Sequence, residues 1–176
     1  MPRLRVNKDE GMNFDAIIEK IIEVIEWLIT VFLIVIFLLT VILVVLRYLF
    51  NSSILGGSEV VTFLFIYTTA LGAAVAIPRD RHIRISFFTD KLNGVLQVGV
   101  EVLVYLLVAF INGVMFLYSL EWISVVGRDI SQSLGIPLGI VKVSVPVGCA
   151  LAVLFSLYAA YRVIRTGAPL DGERIV

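Results

Sequence analysis

Four stretches of this 176-residue chain hold no charged side chain, and each has the length of a membrane span. Glu26 and Arg47 bracket 20 uncharged residues. Glu59 and Arg79, Glu101 and Glu121, and Lys142 and Arg162 each bracket 19. A hydrocarbon core about 30 Å thick is crossed by about 20 apolar residues of helix. The four windows take up 77 of 176 positions and confine all 28 charged residues to the remainder. Membrane barrel strands run about 10 residues and alternate in polarity, and these windows alternate nowhere. The expected fold is therefore an all-α integral membrane protein. It has four transmembrane helices, at about 27–46, 60–78, 102–120 and 143–161, in a single membrane domain over 1–176.

Positive charge predicts the orientation. The segment before the first window holds Arg3, Arg5, Lys8 and Lys20. The loop between the second and third holds Arg79, Arg81, Arg84 and Lys91, and the tail holds Arg162, Arg165 and Arg174. Only Arg47, Arg128 and Lys142 fall in the two other loops. The positive-inside rule places both termini and the middle loop in the cytoplasm. The basic N-terminus mimics a signal peptide, but the apolar run after it is too long and lacks a small-x-small cleavage site. It is read as a retained first helix.

Residues 13–26 read as an amphipathic lead-in to span one, with Asn13 as its cap. Ile17, Ile18, Ile21, Ile22 and Ile25 form an apolar face, and Glu19, Glu23 and Glu26 an acidic stripe. Lipid-binding surface helices usually carry a basic polar face. The stripe is read as a solvated extension of span one rather than as a face for a basic partner.

The chemistry of a catalyst or an ion carrier is missing. Asp, Glu, Lys, Arg and His inside a span mark proton and ion pathways, and the four windows contain none of them. Asn112 is the most polar mid-span side chain and is expected to hydrogen-bond a neighbouring helix. The one cysteine, Cys149, reads as a small apolar filler. The one histidine, His82, has no cysteine or second histidine near it. No Walker loop, GxGxxG or nucleophile elbow is present. Neither an enzyme, a cofactor nor a metal is expected, and zero net charge gives nucleic acid no purchase. Small residues instead suit close helix packing: Thr69, Gly72, Ala73 and Ala76 in span two, and Gly148, Ala152, Ser156 and Ala159 in span four.

The polar residues gather at the rims. Arg47 and Glu59 flank a short outer turn, where they either pair or reach water independently. Pro78 ends span two ahead of the basic run Arg79-Asp80-Arg81-His82-Ile83-Arg84-Ile85. The loop from Ser119 to Lys142 carries Leu134, Ile136, Leu138 and Ile140, which need cover from membrane or from a partner.

In this order the pieces resemble the small membrane subunit of tripartite ATP-independent periplasmic (TRAP) transporters, the DctQ-like family. The resemblance runs over roughly residues 25–165. It rests on Arg47-Tyr48-Leu49-Phe50, Glu59, Leu71-Gly72-Ala73-Ala74, the Arg79 to Ile85 run with His82, Leu134-Gly135-Ile136-Pro137 and Val145-Pro146-Val147-Gly148. Gly56, Gly57 and Ser58 stand where the family often has an aromatic residue before the glutamate, and Ser86 where it often has an acid. The resemblance implies a non-catalytic subunit of the bacterial inner membrane. Such a subunit scaffolds a large sodium-coupled elevator subunit (M-type) and helps dock a periplasmic substrate-binding protein (P-type) for organic-acid uptake. It marks Arg47, Glu59, Gly72, His82, Gly135, Pro137 and Pro146 as candidate interface or structural residues. Membrane lipid is the other expected partner. The competing class is a stand-alone four-helix exporter, which would place a carboxylate inside a span.

Overall fold

A computed structural model describes residues 8–52, 54–79 and 94–166. The described residues form five helices: α1 Lys8–Leu49, α2 Gly57–Ala76, α3 Gly94–Val126, the single turn α4 Gly139–Lys142, and α5 Ser144–Thr166. Four of them, with α4 running into α5, are long and apolar enough to cross a membrane. α1 packs on α2, α2 on α5, and α5 on α3, so that α1 and α3 stand on the flanks. Both ends of the described chain lie at one end of the bundle, called the terminal end below; the other is the distal end.

The helices overrun the charge-free windows. α1 is 42 residues, about 63 Å at 1.5 Å per residue, twice the hydrocarbon thickness. Nothing interrupts it, since residues 12–49 contain neither glycine nor proline. The lead-in and span one are thus one rod, and Asn13 lies inside the helix rather than at its cap. α3 likewise passes Glu121 and ends at Val126, so the outer loop shrinks to residues 127–138. Charges mark where lipid ends, which is not where a helix must end.

A heptad seam organises α1. Ile18, Ile22, Ile25, Ile29, Phe32, Ile36, Leu39, Leu43 and Leu46 are buried or half-buried, with spacings that alternate 4 and 3. A 3.5-residue repeat keeps one stripe facing its neighbour along a left-handed crossing. Ile17 and Ile21, assigned above to the same face, lie off this stripe and are exposed. The core is richest at the terminal end, where Ile22 and Ile25 meet Val75, Ile77, Ala159, Ala160 and Val163. Exposed Trp27 and Tyr161 sit toward that end, and exposed Tyr48, Tyr118 and Trp122 toward the distal end. Such belts mark membrane–water boundaries. Trp27 and Tyr48 are 21 residues apart, about 31 Å of helix.

Of the two small-residue faces, one packs within the chain. Gly148, Ala152, Ser156 and Ala159 are all buried, and a Cβ on Gly148 would stand 3.0 Å from that of Ala70. On α2 the buried residues are Thr68, Leu71, Ala74 and Val75. That stripe is rotated from the expected one. Thr69 and Ala73 are exposed, and nothing lies within 4 Å of a Cβ on Gly72.

Pro146 accounts for the break between α4 and α5. It has no N–H for the Lys142 carbonyl and its ring crowds that group, which a helix tolerates only in its first turn. Next to the break the Tyr67 hydroxyl donates to the Ile140 carbonyl, tying α2 to the start of the last span. Interhelical bonds in membranes contribute about 0.6–1.7 kcal/mol. Tyr67→Phe is expected to lower stability in detergent by that amount, read from the thermal unfolding midpoint; an unchanged midpoint would remove the tie from the account.

Candidate functional site

The polar residues of the distal end form one clasp. It starts from the segment between α3 and α4, which folds back on itself as a small hairpin. The Ser131 N–H donates to Ile136 O at 2.9 Å, Leu138 N–H to Asp129 O at 2.7 Å, and Gly139 N–H to Gly127 O at 3.0 Å. Ile130 and Pro137 face each other across it in an antiparallel bridge. Neither flanking bond uses the N–H that Pro137 lacks, so proline costs the hairpin nothing there. Gly135 turns the tip with φ +67°, a left-handed conformation open to glycine at no steric cost.

Glu59, in the first turn of α2, holds this hairpin. Its carboxylate accepts the Ser131 hydroxyl on one oxygen and the Ser133 N–H, at 3.3 Å, on the other. The Ser131 oxygen in turn accepts the Leu134 N–H at 3.1 Å. Directly beneath, Leu134 lies over Gly56, where an added Cβ would come within 2.6 Å of the leucine side chain. Gly56 also has φ +83°. Both its conformation and its space therefore require glycine. The cover that the apolar loop residues need comes in part from this turn: Leu134, Ile136 and Leu138 are half-buried, while Ile140 stays exposed.

Arg47 is not part of the clasp. It is exposed at the top of α1, and among the described residues no ion pair joins it to Glu59. The reason is axial register. Gly57 lies against Leu43, which sets Glu59 roughly level with residue 41, about 9 Å below Arg47 along the helix. α1 ends above it, with Asn51 at φ 49° and the Ser52 N–H reaching back to Leu46 O at 3.1 Å. Lys142 closes the far side. Its ammonium donates to Val126 O at the end of α3 at 2.9 Å, lies 3.9 Å from Asp129, and stands 5.0 Å from the centre of the Trp122 ring. A cation on the last carbonyls of a helix is favourable.

At the terminal end the acidic lead-in does meet basic partners, and they belong to the same chain. Arg79 grips Glu26 with both arms, Nε to Oε1 and Nη2 to Oε2, each at 2.9 Å. The bidentate carboxylate pushes the Arg79 guanidinium further above its usual value. Asp15 accepts the Tyr158 hydroxyl at 2.9 Å and lies 3.9 Å from Arg165. The lead-in is therefore docked on the bundle rather than free in solvent.

Of the residues marked by the sequence, Glu59, Gly135 and Pro137 converge on the clasp and Pro146 shapes the helix start beside it. Arg47 and Gly72 stand apart, and His82 lies outside the described residues. Ser131, Gly56, Tyr67 and the Glu26–Arg79 pair were not singled out. Bound by the Ser131 hydroxyl and the Ser133 amide, the Glu59 carboxylate fastens the hairpin to α2. Among the described residues no group of three or more His, Cys, Asp or Glu side chains is placed to hold a metal.

A stretch of 46 residues, 26% of the chain, is 44% identical to the sialic acid TRAP transporter small permease protein SiaQ of Vibrio cholerae. The match spans 27% of that relative's length. Residues 36–166 match the family described as tripartite ATP-independent periplasmic transporters, DctQ component. These subunits are transporter components and not enzymes. The chain belongs to the DctQ family: it is a multi-pass small membrane subunit of a TRAP transporter.

Proposed function

We propose that this subunit is a stationary scaffold in the bacterial inner membrane. It widens the fixed framework of the large sodium-coupled M-type subunit and helps seat the P-type substrate-binding protein during uptake of an organic acid. Both termini lie in the cytoplasm, as the distribution of Lys and Arg indicates. The clasp then faces the periplasm, at the level where a binding protein arrives.

The observation that carries this reading is the absence of any Asp, Glu, Lys, Arg or His inside the four windows. A subunit that bound sodium or substrate within the membrane would need such groups or an irregular, cavity-lining backbone. The flanking helices α1 and α3 instead turn large apolar side chains outward, among them Phe37, Leu38, Leu107 and Phe110. Those surfaces suit lipid and a neighbouring membrane protein.

The test is affinity purification of the tagged chain from its native host in mild detergent. The expected result is co-elution with a much larger polytopic membrane protein. Elution of the chain alone would overturn the scaffold reading.

A further inference from the structure

We propose that Asn112 is an intramembrane grip on a partner, receiving a hydrogen bond from a donor side chain on a transmembrane helix of the large subunit. This rests on the assembly reading above and names a contact within it. Asn112 lies on α3, one residue from the centre of the uncharged window 102–120 and about 15 Å of helix from either rim. Its Nδ2 donates to Val108 O on its own helix at 2.9 Å. A carbonyl accepts only from a donor, so the amide nitrogen must face Val108 and the orientation of the group is settled. The Oδ1 is left with no donor among the described residues. The side chain is half-buried and its oxygen is not sealed in the bundle. No described helix of this chain therefore supplies the neighbour expected above.

Lipid tails offer no donor at that depth, and an unsatisfied carbonyl in hydrocarbon costs several kcal/mol. The adjacent Gly113 has nothing within 4 Å of where its Cβ would be. A foreign helix can thus approach the α3 backbone closely beside the amide. A serine, threonine, asparagine, glutamine or tyrosine at matching depth on that helix completes the bond.

The experiment compares wild type, Asn112→Leu and Asn112→Gln, each co-expressed with the large subunit and captured in mild detergent. Asn112→Leu is expected to retain the large subunit about three- to twentyfold less firmly through dilution, the range of interhelical bonds in membranes. Asn112→Gln, which keeps the amide, restores most of it. The melting temperature of the isolated subunit stays unchanged in both, since Asn112 bonds only its own helix. Undiminished retention by Asn112→Leu beside a stable wild-type complex overturns this proposal alone. Wild type that captures no large subunit overturns the assembly reading, and this proposal with it. A detergent-stable pair of identical chains that Asn112→Leu dissolves assigns the amide to a second copy and overturns the partner named here.

Discussion

Gly148→Leu is expected to strain the packing of α2 on α5 and to lower the unfolding midpoint in detergent markedly. A Cβ there already stands 3.0 Å from Ala70 Cβ and 3.1 Å from Ala70 O, with backbone on one side. Three further carbons have nowhere to go without prising the helices apart. Overpacking typically costs 1–3 kcal/mol, and this site lies at the upper end because the obstacle cannot rotate away. That corresponds to a fall of about 10 °C in the unfolding midpoint of a chain this size. Gly72→Leu is the control. It alters the same residue type at the same kind of helical position but points into open space, so the isolated subunit keeps its midpoint. Equal losses from the two substitutions would show that α2 packs by a different face.

Glu59→Ala is expected to release the hairpin and to lower uptake while leaving the sodium coupling ratio unchanged. It removes both acceptors that hold Ser131 and Ser133. Hydrogen bonds to a charged group contribute about 1.5–3 kcal/mol net. Amide exchange at Ser133 and Leu134 should accelerate roughly 10- to 100-fold, since local opening sets that rate. Ser131→Ala should give a smaller change in the same direction. Arg47→Ala, which touches none of these atoms, should leave hairpin exchange as it is. A changed coupling ratio in Glu59→Ala would place Glu59 in the ion pathway and contradict the scaffold assignment.

The spans could be read from the chain because lipid excludes charge, and that constraint acts residue by residue. Their helical ends could not, because nothing in a charge-free window says how far a helix continues into water; α1 and α3 both run past it. The heptad seam from Ile18 to Leu46 was present in the spacing of the chain, hidden by neighbours that are also apolar. Composition alone cannot separate the side that meets protein from the side that meets lipid. The same ambiguity misassigned the packing stripe of α2 by a rotation. At the clasp, Glu59, Gly135 and Pro137 stood out as residue types. Their joining through Ser131 depended on a pairing some 72 positions apart, which no local pattern encodes. The Arg47–Glu59 alternative was decided by register, set where Leu43 meets Gly57.

The position of α5 has a consequence for how the subunit is made. It is the helix that touches α2, α3 and, through Tyr158 and Arg165, the beginning of α1. Among the described helices it is also the last to be synthesised. Until then, among the described helices, α1 and α2 pack on each other, α3 lacks its main neighbour, and Asp15 waits 143 residues for its tyrosine. Contacts of such long sequence separation close late and slowly. The nascent chain therefore passes through a stage of one helical hairpin and one solitary helix, with its apolar seams open to any other membrane protein nearby. The bundle therefore closes only once α5 has been made, and a chain cut short before α5 retains no route to it.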